Sequence, residues 1–453
     1  MFDSLFTAPA IDALFLDEAL IEGMLRFESA LAATQADLGV IPRTAASVIG
    51  ECCSRQEFAV KDLLQSAEQD GNPAIPLVKA LGKCVAAVDP EAAKYVHMGA
   101  TSQDVIDTGL VLCTKKALAL LTADLKGLEE QLIGLIERNR RTFLPGRTLL
   151  QHARPISFGL KAAGWLDGIT SCRKMLQEDA ATRLAIQFGG AVGSLAASGS
   201  KGLEILEALA RKLELGIPEI PWHTQRTRIG RIGMDLALAG TALAKIALDV
   251  VLMMQTEVAE LAEDLGAGGG GSSTLPHKQN PIASTKVLAN SKRIPALAAS
   301  LLTSMVHEHE RSVGGWHAEW LVFPELIRAV GGAAAHALNL IAGLQVHSER
   351  MGANIELSNG LIFAENVSTE LAKSLGKSAA HSVITRASKT VRQTGQHLRK
   401  VLEEDSALVG LVRAGALDRL FSPEQDDDMT DELINRVLAK SRSKSAVGTQ
   451  AFE

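Results

Sequence analysis

An all-α fold is what this sequence predicts, on three observations. Leu118, Leu121, Leu125, Leu128, Leu132 and Leu135 recur at alternating spacings of three and four, a heptad seam whose other face carries Lys126, Glu129, Glu130 and Glu137. Hydrophobic residues make up 47% of the chain and aromatic ones only 4%, a composition suited to aliphatic, alanine-rich helix packing. No run of alternating apolar and polar residues with turn signals is long enough to demand a substantial sheet.

The remaining elements follow in order. A second long helix is expected from about Gly233 to Leu265, and its nearly all-round apolar surface implies burial between several neighbours. Within it, Met234 to Met254 holds Asp235, Lys245 and Asp249, so it reads as a buried helix and not a membrane span. Two further helices are expected, one starting near Pro281 and one from about Pro324 to Val346. Asp426 to Asp428 reads as an acidic turn before a last helix. A length of 453 residues allows two or three domains, and boundaries fall near residues 110 and 350, giving 1–110, 111–350 and 351–453.

Composition also excludes function classes. The net charge of -6 offers no basic surface for nucleic acid, so an anionic ligand must be held by local cations. Five cysteines without a CxxC or Cys/His cluster point to a reducing compartment and no structural zinc. Met1 to Ala10 lacks a basic n-region and an apolar h-region, so no signal peptide is read there and a cytoplasmic protein is expected.

The stretch densest in chemistry is Gly271-Ser272-Ser273-Thr274-Leu275-Pro276-His277-Lys278-Gln279-Asn280-Pro281, entered through a glycine-rich run from Gly266. It sets hydroxyls, a cation and an amide donor on one loop, where glycines let the backbone approach a ligand closely. Two readings stand: an anion-binding flap, or a flexible linker, since glycine and serine dominate linkers. Pro276, Lys278, Asn280 and Pro281 lie closer together than a linker needs, and Pro281 suits the first turn of a new helix.

This stretch resembles the signature of the fumarase/aspartase superfamily, GSSxMPxKxNP, with Leu275 in place of the methionine. The resemblance covers nearly the whole chain. It implies a small N-terminal helical domain, a central bundle of five long helices and a small C-terminal helical domain. It also implies a homotetramer whose active sites each take residues from three subunits. The chemistry implied is removal of a proton next to a carboxylate with loss of a group from the adjacent carbon, or the reverse addition, without metal or organic cofactor. By register Ser272 is the base, with Ser273 beside it, and Lys278 and Asn280 stabilise the aci-carboxylate intermediate.

Three other elements bear on the site. In His97-Met98-Gly99-Ala100-Thr101-Ser102-Gln103-Asp104, a TSxD cluster precedes a helix, and the same groups serve either as a plain N-cap or as a carboxylate site. The resemblance matches Thr101 and Ser102 to residues that bind a substrate carboxylate. Gly146 to Pro155 resembles the family block GxTHxQxAxP, but Leu149 stands where the histidine is expected and His152 follows three positions later. In members that keep it, the histidine is tied to protonating a departing amine. An amine leaves poorly unprotonated, whereas a carboxylate, with an acid pKa of about 4, leaves unaided. Leu149 therefore points to a carboxylate as the group that leaves or adds, as in opening or closing a lactone. His152 reads equally as a participant and as a structural histidine. In Trp222-His223-Thr224-Gln225-Arg226-Thr227-Arg228 the cations sit where a helix N-terminus helps hold an anion, or form a solvated turn. Thr224 and Gln225 match a family TQ element that reaches substrate.

The expectation is a cycloisomerase closing a small tricarboxylate diene to a lactone. Thr101, Ser102 and Gln225 would hold its carboxylates, with His97, Arg226 and Arg311 as further candidates. Two rivals are adenylosuccinate or argininosuccinate lyase, and a non-catalytic structural protein on the lyase scaffold, as some lens crystallins are. Adenylosuccinate lyases follow a similar Glu310-Arg311 element with serines and an arginine for phosphate; here those positions are Gly314, Trp316 and Trp320. Without those groups a phosphate would be left unpaired.

Overall fold

The structure is a computed structural model that describes residues 2–55, 58–264, 266, 275, 278–405 and 416–443. The N-terminal region holds α1 (Pro9–Asp12), α2 (Asp17–Asp37), α3 (Arg43–Ser54), α4 (Val60–Asp70) and α5 (Ala74–Val88). The centre holds α6 (Ser102–Arg138), α7 (Phe158–Thr182), α8 (Gly202–Leu213), α9 (Thr227–Met254), α10 (Ile282–Ser304) and α11 (Gly315–Ala342). After it come α12 (Ser348–Glu356), α13 (Ala364–Leu375), α14 (Lys377–Thr394), α15 (Leu398–Glu403), α16 (Ala416–Leu420) and α17 (Asp427–Arg442).

Five of these, α6, α7, α9, α10 and α11, pack on one another as the expected central bundle. The leucine seam of α6 is its spine: Leu118, Leu121, Leu125, Leu128 and Leu132 are fully buried and Leu135 nearly so. Leu236, Leu243, Ile294, Leu301, Phe323 and Val330 close the core from α9, α10 and α11. α9 and α11 are apolar enough to pass for membrane spans, but both are bundle helices packed on each other and on α10. A smaller core around Val367, Leu371, Val391 and Leu398 holds the C-terminal helices together.

Several expected limits are corrected. The boundary at 110 falls inside α6, which is continuous from Ser102, and the one at 350 falls inside α12. The second long helix starts at Thr227 and stops at Met254, where the chain turns into a short strand. The last bundle helix starts at Gly315, with Pro324 inside it. Among the described residues two small sheets occur: β1 (Phe143–Thr148) pairs antiparallel with β2 (Gln151–Ser157), and β3 (Leu261–Glu263) with β4 (Leu344–Val346).

Candidate active site

The bundle has two ends, and the expected site residues divide between them. α6 is 37 residues long, which at 1.5 Å per residue is about 55 Å. Thr101 and Ser102 lie at its start, and the β1–β2 hairpin follows its end. α9 runs the same way, from Gln225 to the β3 end. Thus His97, Thr101, Ser102, Thr224, Gln225 and Arg311 gather at a first pole, whereas His152, Lys278 and Asn280 stand at a second. Ser272 and Ser273 lie outside the described residues.

At the first pole the backbone enters α6 through an extended Thr101. Asp104 Oδ2 accepts from the Thr101 N–H at 3.0 Å, the acid half of a capping box. The same buried carboxylate accepts from Gly189 N (3.1 Å) and Gly190 N (2.9 Å), and its Oδ1 lies 2.7 Å from His223 Nε2. Gln103 donates to the His223 carbonyl at 2.8 Å and accepts from Arg311 at 2.5 Å. Arg311 also donates to the Gly190 and Ala191 carbonyls, at 2.9 and 3.0 Å. Half-burial lowers its pKa, against the pull of Asp104 and Asp107. His97 Nδ1 lies 2.6 Å from Glu28 Oε1. Burial opposes its charge, but the Glu28 hydrogen bond and charge, with Asp104 behind, prevail and raise its pKa. Gln225 is exposed and Thr224 half-buried.

Arg226 is a correction. It was expected to hold a substrate carboxylate, but it is 2% exposed and forks between Asp107 (2.7 and 3.0 Å) and Glu319 (2.7 to 3.1 Å). Burial works against its charge, and the two carboxylates overcome that and keep it cationic. Four of its five N–H groups are thus spent inside the fold. The tryptophans at the positions of the phosphate ligands are also packing groups: Trp316 donates to Asp107 at 2.9 Å and meets Trp320 edge-on at 4.7 Å.

At the second pole the hairpin places Arg147 opposite His152. Arg147 makes a two-pronged pair with the fully buried Glu260, at 2.6 and 2.9 Å. Partial burial, then Arg147, lowers the pKa of His152 and favours its neutral form. The turn is Leu149–Leu150, with φ of 49° and 64° and side chains 97% and 73% exposed. Lys278 is exposed and Asn280 half-buried. Just beyond them, Glu263 caps α10, accepting from Ala283 N (2.8 Å), Ser284 N (3.0 Å) and Ser284 Oγ (2.6 Å). Sequence reasoning passed over Asp104, His223 and Glu263 as site-forming residues. Only Asp104 had a local signal, its capping-box spacing.

Five long helices with polar ends of this kind are the fumarase/aspartase fold, an enzyme scaffold. The chain belongs to the lyase family: the family model described as Lyase matches residues 6–295, and that for the adenylosuccinate lyase C-terminus matches residues 360–437. It is 44% identical over 440 residues to the 3-carboxy-cis,cis-muconate cycloisomerase of Pseudomonas aeruginosa, covering 97% of this chain and 96% of that protein. It is 38% identical to a nitrosuccinate lyase of Streptomyces davaonensis, covering 94% and 92%. The crystal structure of 3-carboxy-cis,cis-muconate lactonizing enzyme from Pseudomonas putida superimposes with a TM-score of 0.92 at 41% identity, covering 98% and 99%.

Proposed function

We propose that this chain is an intramolecular lyase that closes 3-carboxy-cis,cis-muconate to 4-carboxymuconolactone, a step of protocatechuate breakdown. The full-length likeness to cycloisomerases of that substrate carries the reading. One substrate carboxylate adds to the conjugated double bond, and the resulting aci-carboxylate is held by Lys278 and Asn280. Ser272 delivers the proton to carbon, its acidity raised by nearby charge and backbone dipoles. Ser273, Thr101, Ser102, Gln225 and Arg311 receive the remaining carboxylates, with His97 beside them. Leu149 suits this reaction, because the group that adds is a carboxylate and needs no acid at that position.

The working enzyme is a homotetramer with shared sites. Two observations support this: no single chain can close a gap of about 55 Å between its poles, and α9 leaves Leu238 and Leu248 half exposed. Leu238→Lys is expected to shift sedimentation to smaller species and abolish turnover. A cytoplasmic location suits five unpaired cysteines.

The test is loss of diene absorbance when purified protein meets 3-carboxy-cis,cis-muconate, run beside Ser272→Ala and beside adenylosuccinate. Rapid loss with the wild type only is expected. Fumarate released from adenylosuccinate, with no loss from the muconate, would overturn the reading.

A further inference from the structure

The segment from Trp222 to Arg226 holds a group that neither the core nor the mechanism above uses. His223 is 4% exposed, and Asp104 holds its Nε2 at 2.7 Å. Three backbone N–H groups, from Thr101, Gly189 and Gly190, already fix that carboxylate, so it fixes the plane of the ring in turn. Gly189 makes the seat: a Cβ there would lie 2.8 Å from His223 Cε1, whereas one on Gly193 would only reach ordinary contact with Nδ1, at 3.4 Å. Nδ1 itself bonds to no group among the described residues. A ring oriented through one nitrogen, with the other left open, is how an imidazole is aimed at a ligand. The loop against Nδ1 also holds Arg311, through the carbonyls of Gly190 and Ala191.

We propose that Asp104 and His223 form a substrate-directed pair, with Asp104 the positioning residue and His223 Nδ1–H the donor to one substrate carboxylate. This rests on the reading of the substrate as a tricarboxylate. Only an imidazolium donates to Asp104 and to a ligand at once; the neutral ring has one N–H. The charged groups around the ring are Asp104 and Asp107 on α6, Arg311 before α11, the His97–Glu28 pair, and Arg226, which Asp107 and Glu319 occupy. Carboxylate binding therefore draws a proton onto His223 wherever the free ring is neutral.

The experiment is calorimetric titration of the assembled full-length protein with propane-1,2,3-tricarboxylate, in buffers of unlike ionisation enthalpy, at about pH 6.5 and about pH 8. Wild type is expected to take up protons on binding and to lose about fivefold in affinity at the higher pH. His223→Gln is expected to bind about tenfold more weakly at the lower pH, with no proton uptake and no pH dependence. Asp104→Asn should lose the same linkage. Wild-type linkage persisting in His223→Gln, or wild-type affinity retained by that variant at the lower pH, overturns the proposal. His223→Asn is the second variant, and melting curves are read first; if neither variant folds, Asp104→Asn decides, and wild-type affinity with wild-type linkage in that variant overturns the proposal. Muconate turnover is measured on the same preparation. His223-linked binding without turnover sinks the cycloisomerase reading and leaves this pair standing, and turnover with His223-independent binding does the reverse.

Discussion

The two ends of the bundle are built to opposite plans. At the first pole the buried charged side chains are committed: Asp104 takes four contacts and Arg226 fills the space between two carboxylates, while Gln103 joins Arg311 to the His223 backbone. At the second pole Arg147 and Glu263 are tied down, but Lys278, Leu149 and Leu150 face outward. The contrast separates two tasks. On the function proposed above, the rigid end offers carboxylate sites at fixed positions and the other end presents the reacting groups to another copy of the chain.

The sharpest way to break the contrast is to remove Arg226. Arg226→Met leaves Asp107 and Glu319 as uncompensated buried carboxylates, and a loss of about 3–5 kcal/mol is expected. Chemical denaturation would show it as a lower midpoint; a change near zero would mean that the first pole is not held by this triad. Glu263→Ala tests the second pole. Losing the α10 cap is expected to cost about 1–2 kcal/mol, with turnover falling further than the melting shift explains, since Lys278 and Asn280 lead directly into that helix.

A pH series sharpens the first pole further. Burial, and then the Asp235 charge, push the Asp179 carboxyl up to about 7, with Arg183 pulling the other way. Its folded pKa is raised, so between about 4 and about 7 the folded state binds a proton that the unfolded state does not. This contribution to stability is full at the acid end and fades as the pH rises through about 7. Asp179→Asn is expected to flatten that slope and to gain about 1–2 kcal/mol at about pH 8, read from denaturation midpoints across the series. The smallest effect is expected away from both poles: removing the exposed Arg436–Glu432 pair should change stability by less than about 0.5 kcal/mol.

Much of this architecture was legible in the sequence, for physical reasons that also mark where legibility ends. The α6 seam is a periodic signal, and it survives intact as the spine of the core. The end of α9 was misplaced by eleven residues, from Met254 to Leu265, because Val258 and Leu261 prolong the apolar pattern past a turn whose geometry, with Ala259 at a φ of 52°, leaves no mark in composition. The helix expected from about Pro324 starts at Gly315, with Pro324 inside it. Arg226 reads as a ligand group in the sequence because its partners, Asp107 and Glu319, are 119 and 93 residues away. For the same reason His223 showed no tie to Asp104. The poles themselves follow from helix lengths, so the separation of Lys278 from Thr101 was within reach of the expected bundle.

The hairpin tip carries one more consequence. Two leucines in left-handed backbone cost about 1–2 kcal/mol each, in a two-residue turn that Asn-Gly would adopt without strain. Both also lie open to water. A library at positions 149 and 150 therefore yields different winners under different selections. Screening for a soluble, stable single chain would drift to asparagine and glycine, whereas screening for turnover would keep leucine.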